Sequence, residues 1–200
     1  MSQSVPRVNN GNGFTLIEVM VATGILVVGM MAAALLMTTV YQQTVRSRYM
    51  SMAATLASEK LEDLNRFPSS DPHVCAVAGT PAGSLTADAG PVNVTCNSVT
   101  TPVNYYDTVT LNTNNGAMSE TYESLNGSTT QYMTQAFSPN GIFQVVTSST
   151  TAPLGTTLKR RWTIEQDTPT PGVRMVTVQV TLLDNTIQPP VTFQMSMVRP

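Results

Sequence analysis

The chain has 200 residues, 42% hydrophobic and only 11% charged, with a formal net charge of −2 and two cysteines. That length suits one modest domain plus an anchor, and the charged fraction falls well below the roughly 25% of a typical soluble domain. The only basic cluster is Lys159-Arg160-Arg161; in a strand Arg160 points away from its two neighbours, so no continuous patch forms and no nucleic-acid partner is expected. The cluster reads instead as a solvated strand edge that discourages unwanted pairing.

From Phe14 to Tyr41 the sequence is apolar and carries one charged side chain, Glu18. A run of this length can cross roughly 30 Å of hydrocarbon. A carboxylate within it costs a few kcal/mol, so Glu18 needs a partner. Asn10-Gly11-Asn12-Gly13, just before the run, is a flexible polar link on which a helix does not begin. An ordinary secretory signal would have an apolar stretch of about 7–15 residues and a small-residue cut site such as Ala32-Ala33-Ala34. Here the run is too long, and Glu18 would fall inside it. A permanent single-span anchor satisfies the length, whereas a buried core helix does not suit the extreme end of a small chain. Within the run, Gly24 and Gly29 lower intrinsic helix stability, and Gly29 with Ala33 forms a small-xxx-small pair suited to close helix approach.

Gly13-Phe14-Thr15-Leu16-Ile17-Glu18, followed by this run, resembles the class III signal of type IV pilins and type II secretion pseudopilins over residues 7–45. The resemblance implies that a prepilin peptidase cuts between Gly13 and Phe14 and methylates the new amine of Phe14. It also implies that Glu18 meets the N-terminal amine of a neighbouring subunit inside a filament, and a buried carboxylate is tolerable when a cation compensates it. Further implied partners are other pilins or pseudopilins and an inner-membrane assembly platform. The implied location is the bacterial inner membrane, leader cytoplasmic and head periplasmic, and then the pilus or pseudopilus. Two departures stand out: the leader has one basic residue, Arg7, where the family often has several, and Asn12 replaces the common Lys or Arg.

Helical character continues beyond the run. Val45, Tyr49, Met52 and Leu56 form one stripe, and Ala53, Ala57, Leu61 and Leu64 a neighbouring one. Glu62 and Arg66 make a favourable i,i+4 pair, and Phe67-Pro68 ends the helix. A helix from Thr15 to Asn65 would be about 75 Å long. Its first half is apolar all round; its second is amphipathic and suited to lie against a domain.

Residues 68–157 are rich in Ser, Thr, Asn, Gly and Pro. Strands are expected at 92–96, 103–111 and 142–147, with turns or loops at 112–116 and 124–130. Cys75 and Cys96 fall in the exported part on the orientation above. An even count outside the cytoplasm favours a disulfide, worth roughly 3 kcal/mol. Two free buried thiols or a metal pair are the other readings, and the pair lacks further ligands. The C-terminal part alternates more regularly: Leu158, Arg160, Trp162 and Ile164; then Val176, Val178, Val180 and Leu182; then Val191, Phe193, Met195 and Met197. Turns at 166–172 and 184–190 make this an antiparallel meander with one apolar face, which the stripe Val45–Leu64 is placed to cover. The Trp-bearing strand and Ala57-Ser58-Glu59-Lys60-Leu61-Glu62 resemble V-type minor pilins and I-type pseudopilins.

Chemistry is expected to be absent. His73 is the only histidine and reads as a surface loop residue without triad spacing. No metal-ligand set or cofactor loop emerges; Asp184-Asn185 with Asp167 is a thin basis for calcium. The fold class is therefore α+β, a long N-terminal helix packed on an antiparallel sheet. The expected divisions are a leader (1–13), a membrane or filament-core helix half (14–41), an amphipathic helix half (42–66), a Ser/Thr/Asn-rich region with short strands (67–157) and the meander (158–200). The expected function is a non-enzymatic minor pilin that primes assembly or sits at the tip. The alternatives are a pseudopilin of a type II secretion system and a membrane-tethered adhesin or binding module.

Overall fold

The computed structural model describes residues 13–114, 117–126, 129–137, 143–151, 155–184, 187 and 189–200. They form one long helix, α1 (Leu16–Arg66), a short 3-10 turn (Pro72–Val74) and ten strands. The strands are β1 (Ala82–Gly83), β2 (Val92–Cys96), β3 (Val99–Val103), β4 (Tyr106–Asn114), β5 (Ala117–Asn126), β6 (Thr129–Phe137), β7 (Phe143–Ser149), β8 (Thr156–Gln166), β9 (Arg174–Leu182) and β10 (Thr192–Arg199). The chain divides into two units, residues 1–45 and 46–200.

In the first unit every described side chain up to Thr44 is exposed, as an apolar helix with nothing packed on it must be. Its hydroxyls are satisfied locally. Thr23 Oγ1 donates to the Val19 carbonyl at 2.9 Å and Thr38 Oγ1 to that of Ala34 at 3.0 Å, which lets threonine sit in an apolar helix without an unpaired donor. Gly24 and Gly29 have open space where a Cβ would stand, so no contact within the single chain requires glycine there.

In the second unit the remainder of α1 buries Ala53, Leu56, Ala57, Leu61 and Leu64. Of the two expected stripes, the second forms the contact face, joined by Leu56; Tyr49 lies at its margin and Met52 outside the core. The sheet opposite is antiparallel, in the order β10-β9-β8-β4-β5-β6-β7, and β1 pairs with β8 beyond the end of β4. Leu158, Trp162 and Ile164 of β8 and Val176, Val178, Val180 and Leu182 of β9 join the helix residues in one core. Fully burying a side chain of this size contributes roughly 1.5–3 kcal/mol. β2 and β3 form a separate hairpin, tied to the 3-10 turn by the Cys75–Cys96 disulfide. Long-helix-on-antiparallel-sheet is the layout that the resemblance implies.

Charges add directional ties to this core. Asp107 on β4 accepts from Arg160 Nε and Nη2 at 2.6 and 2.9 Å, and from Lys60 Nζ on α1 at 3.1 Å. Burial pushes the Asp107 carboxyl up, yet Arg160 and Lys60 outweigh it and hold the group below its ordinary value. On the other face of β8, Lys159 and Arg161 both donate to Asp88, at 2.6 and 2.8 Å. The end of α1 is held by Arg199, which donates to the carbonyls of Leu64 and Phe67 at 2.9 and 2.7 Å, groups that a helix terminus leaves unpaired. Arg174, directly opposite Arg199, donates to the carbonyls of Ser69 and Val74. Burial first, and then Arg199, lowers its pKa.

Several expectations need correction. The basic triplet is no strand edge, since β8 lies inside the sheet between β9 and β4; Arg160 does point opposite to its neighbours, but into the core, where it is 1% exposed. The expected strand 103–111 is broken at Asn104-Tyr105, so that Val103 ends β3 and Tyr106 begins β4. Much of 112–116 and 124–130, expected as turns, is strand: β4 runs to Asn114, β5 to Asn126, and β6 starts at Thr129. β7 covers the expected 142–147 from Phe143 onward, while Ile142 lies outside the described residues. Met195 alternates with the core positions but is 41% exposed, because β10 is at the sheet's edge.

Candidate functional site

The candidate site is built from the first turn of α1. Thr15 precedes the helix and acts as its N-cap. Its carbonyl accepts the Glu18 and Val19 amides at 3.1 and 3.2 Å, and its hydroxyl accepts the Glu18 amide at 3.3 Å. The same hydroxyl donates to Glu18 Oε2 at 3.4 Å. Thr15-x-x-Glu18 thus forms the Ser/Thr-x-x-Glu cap pattern, which satisfies donors that a helix N-terminus leaves unpaired. A carboxylate in the first turn is also favoured by the helix dipole. Sequence reasoning placed Glu18 in that turn and missed Thr15 as its cap, although the spacing was there to be read.

Gly13 and Phe14 lie outside the helix, and a Cβ at Gly13 would meet nothing within 4 Å. Phe14 is 83% exposed. The Gly13–Phe14 peptide bond is therefore accessible and precedes the cap directly. α1 is long and apolar enough to cross a membrane.

The other residues singled out from sequence lie in the second unit. Cys75 and Cys96 form a disulfide. His73 is partly exposed, its Nδ1 2.7 Å from Asp71 Oδ1, and its ring stacks on Phe67 with centroids 4.9 Å apart. Asp71 caps the 3-10 turn through the His73 amide at 2.8 Å; that hydrogen bond, against a smaller effect of burial, lowers its pKa. Asp167 Oδ1 accepts the Gly172 amide at 2.8 Å in the β8–β9 turn, while Asn185 lies outside the described residues. Among the described residues no group of three or more His, Cys, Asp or Glu side chains could hold a metal ion.

A family described as the prokaryotic N-terminal methylation motif matches residues 8–34, the stretch that holds Gly13, Phe14, Thr15 and Glu18. No curated protein and no solved structure matches the chain. With that match lying over a capped, apolar N-terminal helix, the chain carries the signal of type IV pilins and pseudopilins.

Proposed function

We propose that this chain is a minor pilin, a structural subunit of a type IV pilus without catalysis of its own. The prepilin peptidase cuts between Gly13 and Phe14 and methylates the new amine of Phe14. The subunit waits in the bacterial inner membrane with its head in the periplasm. The assembly platform then draws it into a filament, where its apolar helix half packs against other pilins.

The observation that carries this reading is the placement of Glu18. It is the one charged side chain between Phe14 and Tyr41, it is exposed, and it lies one turn from the accessible Gly13–Phe14 bond. Cleavage there leaves an ammonium at the positive end of a helix dipole, an unfavourable placement in an apolar surrounding. Each subunit then carries one buried cation and one buried anion, and a neighbour's Glu18 supplies the compensation.

Intact mass and N-terminal sequencing of the membrane-extracted protein test the first half of the proposal: the chain should start at N-methylated Phe14. A start at Met1 or near Leu35 overturns it. Glu18→Ala should block incorporation into sheared filaments while leaving cleavage and membrane insertion largely intact; normal incorporation removes the charge-pairing role. Deletion should abolish or shorten pili and impair twitching. Loss of protein secretion with pili intact would instead assign the chain to a type II secretion system.

A further inference from the structure

Between Glu18 and Glu59 the only charged residues are Arg46 and Arg48. Other basic residues of the head have acceptors within the chain: Lys60, Lys159, Arg160 and Arg161 on aspartates, Arg66 on Glu62, Arg174 and Arg199 on carbonyls. The side chains of Arg46 and Arg48 make no ion pair or hydrogen bond among the described residues. Arg46 is half-buried and Arg48 exposed. Two positions along a helix turn the side chain by about 200°, so the two leave α1 on nearly opposite sides. Arg46 shares the stripe of the buried Ala53, Ala57 and Leu64, at i+7, i+11 and i+18; Arg48 takes the other side.

Ordinary explanations do not account for the pair. Solubility is served better by added acids than by added bases. Helix stability would be served by an acid four residues away, but Gln42, Thr44, Met50 and Met52 occupy those positions. On the proposed orientation Arg46 and Arg48 sit at the exported end of the apolar run, where Lys and Arg are normally scarce. A domain as long as this head translocates regardless of them, so they are tolerated there without setting the orientation.

We infer that Arg46 and Arg48 bind anionic phospholipid headgroups of the exported leaflet and fix the depth at which the chain waits in the membrane. The inference rests on the membrane stage of the function proposed above. The run from Phe14 to Tyr41 has 28 residues, about 42 Å as a helix, against roughly 30 Å of hydrocarbon. Apolar length alone therefore leaves the depth open, and interfacial anchors set it. The run ends on Tyr41, a residue type enriched at membrane–water interfaces. Arg46 follows five positions later and Arg48 seven, about 7.5 and 10.5 Å of helix. Side chains on a helix lean towards its N-terminus, which brings both guanidiniums back towards headgroups that extend roughly 5–8 Å beyond the hydrocarbon. There the guanidinium fork suits phosphate oxygens. The opposed directions favour lipid over a protein partner: a docked protein covers one side of a helix, whereas a leaflet surrounds it and supplies anions to both.

The test offers the purified full chain, in a neutral detergent, equal amounts of phosphatidylglycerol and phosphatidylcholine and counts the bound lipids by mass spectrometry under non-denaturing conditions. Phosphatidylglycerol adducts should predominate. Arg46→Gln and Arg48→Gln should each lower that excess by up to about fivefold. Arg46→Lys/Arg48→Lys should keep a preference, and Arg66→Gln, at the far end of α1, should leave it unchanged. Equal adducts of the two lipids on the unaltered chain overturn the inference. So does an equal fall in Arg66→Gln, which makes the preference one of overall charge, and so does a loss confined to one arginine, which removes the two-sided contact. A double glutamine variant that keeps the lipid preference but fails to enter filaments assigns the arginines to another subunit and also overturns it. N-terminal sequencing of the same preparation separates this inference from the proposed function. Equal adducts on a chain that starts at N-methylated Phe14 strike the lipid contact alone, whereas a preference on a chain that starts at Met1 supports the contact while the processing reading fails.

Discussion

Asp107→Asn is the substitution that tests how the helix is held on the sheet. The carboxylate is side-chain 12% exposed, against 2% for Arg160 and 17% for Lys60, and it receives three charged hydrogen bonds, two from Arg160 and one from Lys60. Neutralising it removes the two-point counter-charge of the buried guanidinium and leaves it the more distant Glu59 carboxylate, 3.9 Å from Nη1; breaking such a buried pair costs about 3–5 kcal/mol in comparable settings. Urea unfolding of the full chain in detergent micelles, followed by fluorescence, reads this directly. Trp162 is the only tryptophan, is 4% exposed, and has Lys60 Nζ 4.1 Å from its ring centroid. With a slope of about 2 kcal/mol per molar urea, the midpoint should fall by about 1.5–2.5 M. Asp107→Leu combined with Arg160→Met should cost less than the single change, since the buried guanidinium is removed together with its carboxylate. A midpoint shift below about 0.5 M for Asp107→Asn would falsify the claim that this carboxylate holds the helix.

Acid should act on the same group. The folded-state pKa of Asp107 is lowered, so its stabilisation is complete above the ordinary carboxylate value near 4 and is lost as pH falls through the lower folded value. Unfolding midpoints should therefore be flat from about pH 5 to 7 and drop below about pH 4, the drop being much smaller in Asp107→Leu/Arg160→Met. Gly83→Ala should destabilise the head by about 2 kcal/mol or more: φ is +87° there, and a Cβ would come within 2.3 Å of the Trp162 carbonyl oxygen and 2.8 Å of the Tyr105 ring. Thermal melts of that variant should show it, and an unchanged Tm would contradict the packing around Gly83. Opening the Cys75–Cys96 bridge by double serine substitution should cost about 3 kcal/mol, read as a lower urea midpoint that reductant no longer changes. Gly24→Ala and Gly29→Ala should each raise helicity in micelles by an amount equivalent to up to about 1 kcal/mol. A loss of filament incorporation despite that gain would place the need for glycine in neighbouring helices.

The helix was legible because two independent signals agree: an apolar run from Phe14 to Tyr41 with Glu18 as its one charge, and the Phe67-Pro68 stop that ends α1 at Arg66. The meander was legible because Val176, Val178, Val180 and Leu182 alternate on one buried face. β5 and β6 were not, because their scattered apolar residues are outnumbered by Ser, Thr, Glu, Asn and Gln and leave no clear alternation. What β5 and β6 offer instead is β-branched residues in register: Thr110 lies opposite Thr121 and Thr121 opposite Thr134, with the hydroxyls of the latter pair 2.9 Å apart. Such cross-strand pairs stabilise a sheet, but they appear only once the register is known. The same limit hid Asp107 as the partner of Arg160, 53 residues away in sequence.

The candidate site was more legible than the head because its parts are neighbours in sequence, and the one residue missed there changes how Glu18 is understood. The Thr15 cap holds the carboxylate in the first turn, but only through a hydroxyl 3.4 Å away, at the long limit of a hydrogen bond. An ionised carboxylate has about four acceptor sites, so Thr15 orients Glu18 without filling it. An apolar surrounding makes those unused sites costly. The unassembled chain therefore holds a group that is aimed but unsatisfied, and assembly beside another N-terminal amine is the event that would satisfy it. On this argument Thr15→Val should weaken incorporation less than Glu18→Ala, since it loosens the aim and keeps the charge. Quantifying both variants in sheared filaments checks the order, and a Thr15→Val defect as deep as that of Glu18→Ala would mean that the cap matters for more than orientation.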